Sequence, residues 1–285
     1  MNLPTIAPKY LASINFQSLS KNSQNWYKAT LNKLVKLAPK DSDEVDIRVH
    51  WYKKLNNMKV SNAAKNSYLA VLKIVYRWAE NEGQIDRSPV DRMKKFVSFP
   101  DKQEAYTQEE VEKIWESAET RNEKIYANTF RALFYTGCRP QELIDLLWND
   151  VDLNKGLISI RSAKRREKGA ISRKCNIINE VEQCITRAES YHEYNRRADF
   201  NVFRAPRGGK IDMGTLRSTI KLLCQKCVVP YKQLRNTRSG LGTAMIKKGY
   251  SLYDIQHTLG HKKISTTEGY LRESLEDKAS RFKGL

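Results

Sequence analysis

The chain has 285 residues, with 51 Lys and Arg against 32 Asp and Glu, a formal net charge of +19. That length allows two domains with buried cores, and so large a charge repels itself, does nothing for a fold, and suits a polyanionic partner. The first 100 residues carry 17 basic and 8 acidic side chains and the remaining 185 carry 34 and 24, which excludes a neutral domain with a basic tail and favours an extended polyanion over a single anion site.

In chain order, residues 1–95 read as helices with polar punctuation. Ser20 or Ser23 caps a helix through Trp26, Leu31, Leu34 and Leu37, whose spacing is helical, and Lys40 to Asp43 breaks it. A second helix is expected around Val45 to Leu55. A third starts near Ser61, runs through Tyr68, Leu72, Val75 and Trp78, and ends at Asn81-Glu82-Gly83. Phe96 to Glu104, with Pro100 inside, reads as a linker and divides the chain into domains 1–98 and 99–285. Thr107 and Glu110 form a capping box that opens a new helix. The helical pattern continues through Ile125, Phe130 and Phe134 to a turn at Thr136-Gly137, and Arg139 to Leu147 is again expected to be helical. Asn154-Lys155-Gly156 turns into a short strand, Leu157 to Ile160. The basic run Lys164 to Lys168 with Gly169 tips a hairpin, and a second strand follows over Ile171 to Ile178. From about Val181 the chain reads as mostly helical. The expected class is mainly α, with a small β-hairpin or sheet in the second domain.

No stretch approaches the roughly 18 apolar residues of a membrane span, and MNLPTIAPKY lacks the basic-then-apolar layout of a signal peptide. A cytoplasmic, nucleoid-associated protein with no membrane partner is expected. Its five cysteines, an odd number, are then reduced. Cys224 and Cys227 form a lone CxxC with no second pair at zinc spacing, so core packing is the better reading and neither metal nor cofactor is expected.

Four pieces of the second domain carry the chemistry. In Thr136-Gly137-Cys138-Arg139-Pro140-Gln141-Glu142, a Gly turn sets Arg139 at the positive end of a helix, where an anion is favoured, and Glu142 lies on the same face. Lys232 and Arg235, three apart, would share a helix face. Two arginines and a lysine suit a phosphate because each guanidinium fork bonds two oxygens at once. Leu259-Gly260-His261 and Thr266-Thr267-Glu268-Gly269-Tyr270 complete the set, with Tyr270 nine residues after His261. A lone His or Tyr is more often structural than catalytic.

The segments TGCRPQELIDLLWNDVDL, YKQLRNTRSGLGTAMIKKG and LGHKKISTTEGYL resemble, in order, the three signature stretches of the tyrosine recombinase (phage integrase) family. The first domain, with its tail GQIDRSPVDR, is similar to the helical core-binding domain of Xer-type and integron-type members. The resemblance implies a two-domain DNA clamp: a helical core-binding domain followed by a catalytic domain. The first domain begins by about residue 10, so a simple recombinase without an arm-binding domain is expected. Carried over by motif, Arg139 and Arg235 are the site's arginines, His261 takes the His/Trp position and Tyr270 is the nucleophile. Lys164 best matches the family's hairpin lysine, with Lys168 as runner-up. The box that usually begins with His here begins with Lys232, which acts either as a base of lowered pKa or as a fixed charge on the phosphate.

The mechanism implied is metal-independent. Tyr270 attacks the scissile phosphorus and expels the 5′-oxygen, leaving a 3′-phosphotyrosyl bond. The arginines and His261 stabilise the nonbridging oxygens, and Lys164 protonates the leaving oxygen. The implied partners are double-stranded DNA with inverted-repeat core sites, three further copies of the chain in a tetramer joined by the tail Leu271 to Leu285, and accessory DNA-bending or directionality proteins. The alternatives are a catalytically impaired DNA-binding protein, a type IB topoisomerase-like activity, and a basic module that never meets DNA.

Overall fold

A computed structural model describes residues 2–39, 46–98, 104–161, 171–193 and 196–261, together with 264, 267 and 268. The chain divides into two compact units, Met1–Asp101 and Lys102–Leu285.

The first unit is helical: α1 (Leu3–Ala12), α2 (Ile14–Gln17), α3 (Lys21–Leu37), α4 (Ile47–Asn56) and α5 (Asn62–Asn81). Each helix starts on a side-chain cap, from Asn2, Ser13, Ser20, Asp46 and Ser61 respectively, which satisfies an amide that the helix itself leaves unbonded. The core gathers Leu3, Ile6, Tyr10 and Phe16 with Leu31, Leu34, Trp51, Leu72 and Tyr76. Two expectations shift. Trp26 does not join this core but stays 46% exposed. Phe96, read as the start of the linker, is buried in the unit instead, its amide and carbonyl held by the Asn66 side chain.

The second unit is built around α7 (Arg121–Thr136), in which every residue from Ile125 to Thr136 is buried. A helix apolar on one stripe only would not do this; α7 is enclosed by α6 (Gln108–Glu116), α9 (Asn179–Ser190), α10 (Met213–Lys226) and α11 (Asn236–Lys247). Several of its buried polar groups are matched: Arg131 Nε bonds both Glu112 carboxylate oxygens at 2.9 and 2.8 Å, and Asn128 donates to the Cys184 carbonyl at 2.8 Å, although its Oδ1 has no partner among the described residues. The expected capping box of Thr107 and Glu110 is present.

The sheet has three antiparallel strands in the order β1 (Val151–Asp152), β2 (Leu157–Arg161) and β3 (Ile171–Asn176), with Ile158 opposite Cys175 and Ile160 opposite Arg173. The mainly α class with a small sheet is therefore what forms, with β1 as an addition. Arg139 to Leu147 is not one helix: α8 covers only Pro140–Ile144. Its continuation is drawn into pairing with a distant segment, Leu146 accepting from Val202 and Trp148 donating to Phe200, so a short 3-10 turn at Trp148–Asp150 replaces the helix. Residues 196–212 likewise run as turns and isolated bridges before α10, not as helix. The last described helix is α12 (Leu252–Leu259). Among the described residues no helix is long and apolar enough to cross a membrane. Cys224 is buried in α10, and the Cys227 thiol lies 3.8 Å from its carbonyl oxygen.

Candidate active site of the second unit

Helix α7 ends on Gly137 in the left-handed conformation, φ 58°, which a Cβ would strain. Space forbids one as well: it would stand 2.6 Å from Leu259 Cδ2. This stop turns the chain so that Arg139 becomes the cap residue of α8. Glu142, one turn on, accepts from the Arg139 amide at 3.0 Å and from its guanidinium Nη1 at 2.7 Å. Glu142 also accepts from Arg173 Nη1 on β3, at 3.2 Å. Burial pushes the Glu142 carboxyl up, but Arg173, the Arg139 amide and the Arg139 guanidinium outweigh it and hold the group below the usual carboxylate range. The Arg139 side chain is 55% exposed over a carboxylate only 2% exposed, so the cation faces outward from a fixed base.

Arg235 stands just ahead of α11 as its cap residue, exposed, and its side chain makes no hydrogen bond or ion pair among the described residues. The turn beneath it is tied to the Arg139 turn. Arg238, in the first turn of α11 and buried, donates from Nη1 to the Gly137 carbonyl at 2.8 Å. Two segments a hundred residues apart are thus joined by one charged bond that sequence reasoning missed.

Lys232 does not share a helix face with Arg235, because it precedes α11 in irregular chain. It turns inward. Its ammonium bonds both oxygens of Glu110 at 2.7 Å and the Ala105 carbonyl at 2.9 Å, which uses all three protons. Tyr106 reinforces the tie: its hydroxyl donates to the Lys232 carbonyl at 2.6 Å and accepts from the Lys232 amide at 2.7 Å.

His261 follows Gly260, the left-handed cap of α12 at φ 65°, where a Cβ would come within 2.7 Å of Arg173 Cδ. Its backbone is clamped by Gln256 in both directions. Burial, then the positive charges of Arg238, Arg139 and Arg173, push the imidazole down to about 4, so it is neutral at physiological pH. Nδ1 lies 2.9 Å from Oγ1 of Thr267, which is fully buried. If the Thr267 hydroxyl donates to Nδ1, the ring proton is left on Nε2.

The structure therefore brings Arg139 and His261 into one electrostatic neighbourhood, links the Arg235 turn to it through Arg238, and fastens Lys232 elsewhere. Lys164, Lys168 and Tyr270 lie outside the described residues. The signal for Arg173 was its place on the strand after the basic run; only the fold shows that it shares Glu142 with Arg139.

The profile of the phage integrase family matches residues 104–276. "Tyrosine recombinase XerC-like" of Caldanaerobacter subterraneus subsp. tengcongensis is 24% identical across 76% of this chain and 64% of its own, so this chain spans just under two thirds of that relative. "Tyrosine recombinase XerA" of Pyrococcus horikoshii is 24% identical across 95% of this chain and 92% of its own. Among solved structures, a lambda integrase dimer bound to a COC' core site shares the fold with a TM-score of 0.77, at 17% identity and over 95% of each chain. The Tn1549 transposon integrase in complex with circular intermediate DNA does so at 0.70, with 18% identity, over 95% of each. With a family profile covering more than half its length, the chain belongs to the phage integrase family, the tyrosine-type recombinases.

Proposed function

We propose that this site-specific DNA recombinase cleaves and rejoins DNA through a 3′-phosphotyrosyl bond to Tyr270. The observation that carries the reading is a neutral imidazole set beside an outward-facing, carboxylate-anchored arginine. Arg139 and Arg235 bind the nonbridging oxygens and offset the charge that builds on them in the transition state. His261 donates its Nε2 proton to the same oxygens, with the Thr267 hydroxyl assigned as the donor to Nδ1. The Tyr270 oxygen forms a bond to phosphorus as the bond to the 5′-oxygen breaks. Lys164, assigned by motif, gives that oxygen its proton. Lys232 we assign to positioning, since Glu110 and Ala105 occupy its protons.

The substrate is double-stranded DNA with inverted-repeat core sites, gripped in part through the basic surface of unit 1. Since solved neighbours include a lambda integrase tetramer bound to a Holliday junction, the working assembly proposed here is likewise four copies on two duplexes, joined by the tail after Tyr270.

The test is covalent trapping on a nicked suicide substrate. Wild-type protein is expected to yield an adduct, and Tyr270→Phe to bind the same DNA and yield none. An adduct with Tyr270→Phe would refute the nucleophile. Absence of any adduct with wild type would favour the impaired DNA-binding reading.

A further inference from the structure

Two thiols lie directly behind the turn that presents Arg139, and no step of strand transfer uses them. Cys138 belongs to that turn, and Cys175 comes from β3. Both are buried and neither is in a disulfide. Each thiol acts on the ionisation of the other; Arg173 Nη2 lies 3.6 Å from the Cys138 sulfur, and the Cys175 sulfur lies 3.9 Å from the Thr136 and Thr258 carbonyl oxygens. Cys138, then the charges of Arg173 and Arg238, hold the Cys175 thiol below the usual thiol range, against the burial that raises it. The thiolate is the form that reacts with oxidants.

Access is a separate observation. Cys175 lines a partly open cavity of about 470 Å³ together with Thr136, Lys174, Leu241, Met245 and Thr258. A water molecule claims about 30 Å³ in the liquid, and a peroxide is little larger. Cys138, by contrast, is fully buried behind it. One thiol thus faces the cavity and the other is in reach of the first.

We propose that Cys175, with Cys138 as its resolving partner, is a peroxide-oxidation site that shuts off strand cleavage by refastening the turn that carries Arg139. In the first step the Cys175 thiolate attacks one peroxide oxygen. The O–O bond breaks, hydroxide leaves and is protonated to water, and Cys175 becomes a sulfenic acid. In the second step the Cys138 sulfur attacks the Cys175 sulfur and displaces hydroxide, which takes up the Cys138 proton as a second water. Two thiols lose two electrons and one peroxide becomes two waters. The disulfide replaces a noncovalent contact with a covalent one and draws Cys138 out of the geometry that aims Arg139. The loss of cleavage rests on the strand-transfer reading above; the thiol chemistry does not.

The experiment treats the full chain with hydrogen peroxide, alkylates the remaining thiols, and maps the peptides by mass spectrometry beside a suicide-substrate assay. The expected result is a Cys138–Cys175 cross-link, reversed by dithiothreitol, and a fall in cleavage of roughly a hundredfold, the cost of displacing a reacting group by about 1 Å. Cys175→Ser and Cys175→Ala, two replacements of different polarity in case one fails to fold, are expected to cleave before treatment and to keep cleaving after it. A cross-link elsewhere, all five thiols alkylated after peroxide, or full activity in cross-linked protein would overturn the proposal. Wild type that never cleaves would count against strand transfer alone, because the peptide map still decides the thiol chemistry.

Discussion

The Arg139 turn and the Lys232 turn treat a cation in opposite ways. At Arg139 the carboxylate is buried and the cation is exposed, 2% against 55%. At Lys232 the cation is the more buried partner, 10% exposed against 21% for Glu110, and its protons are all engaged. The difference separates a charge left facing outward from a charge that holds the protein together. An anchored guanidinium keeps donors free and pays little conformational entropy on binding. A lysine bonded three ways must give up those bonds before it can serve anything else.

Replacing Glu142 with Ala breaks the first turn most completely. It strands Arg173 as a buried, uncompensated charge, which costs about 3–5 kcal/mol, and it frees Arg139 to reorient. Chemical denaturation measures the first effect, and a small shift would mean that Arg173 has another counter-ion. Arg139→Ala tests the same turn from outside. Cleavage in a single turnover is expected to fall about 10²- to 10³-fold, with the melting curve nearly unchanged because the side chain is exposed.

Lys232→Met makes the converse case. Stability is expected to drop by about 1–3 kcal/mol as Glu110 and Ala105 lose their donor, while cleavage per folded molecule changes far less than in Arg139→Ala. A large rate loss at unchanged stability would reverse the comparison and make Lys232 a catalytic group. The last effect is a dependence on pH. The His261 imidazole is held at about 4 against an ordinary 6.5, so below pH 6.5 the unfolded chain binds a proton that the folded chain refuses. Its contribution to stability is complete above 6.5 and is lost as pH falls toward 4. Stability measured across that window is expected to slope less in His261→Asn than in wild type.

What the sequence made legible was local. The Thr107–Glu110 box and the stop at Gly137 each depend on residues within a few positions, and both form as read. Helix α1 carries Pro8 inside it, which removes an amide donor and hides the helix from pattern reading. Helix α8 is cut short by pairing with a segment some fifty residues on, and no periodicity near Arg139 announces that. The site divides in the same way. Arg139, Arg235, His261 and Tyr270 sit in recognisable strings. Arg173 does not, and Arg238 lies in one without standing out, because their meaning lies in Glu142 and the Gly137 carbonyl, far away in sequence. Lys232 was legible as a departure from pattern, but its bond to Glu110 required the fold.

The Thr267 hydroxyl sits three residues ahead of Tyr270 and holds the His261 ring from a fully buried position. In mechanical terms it is a latch between the histidine and the sequence that leads to Tyr270. Under the proposal that Tyr270 is the nucleophile, the residue that would attack and the ring that would donate are tied to one short stretch of sequence.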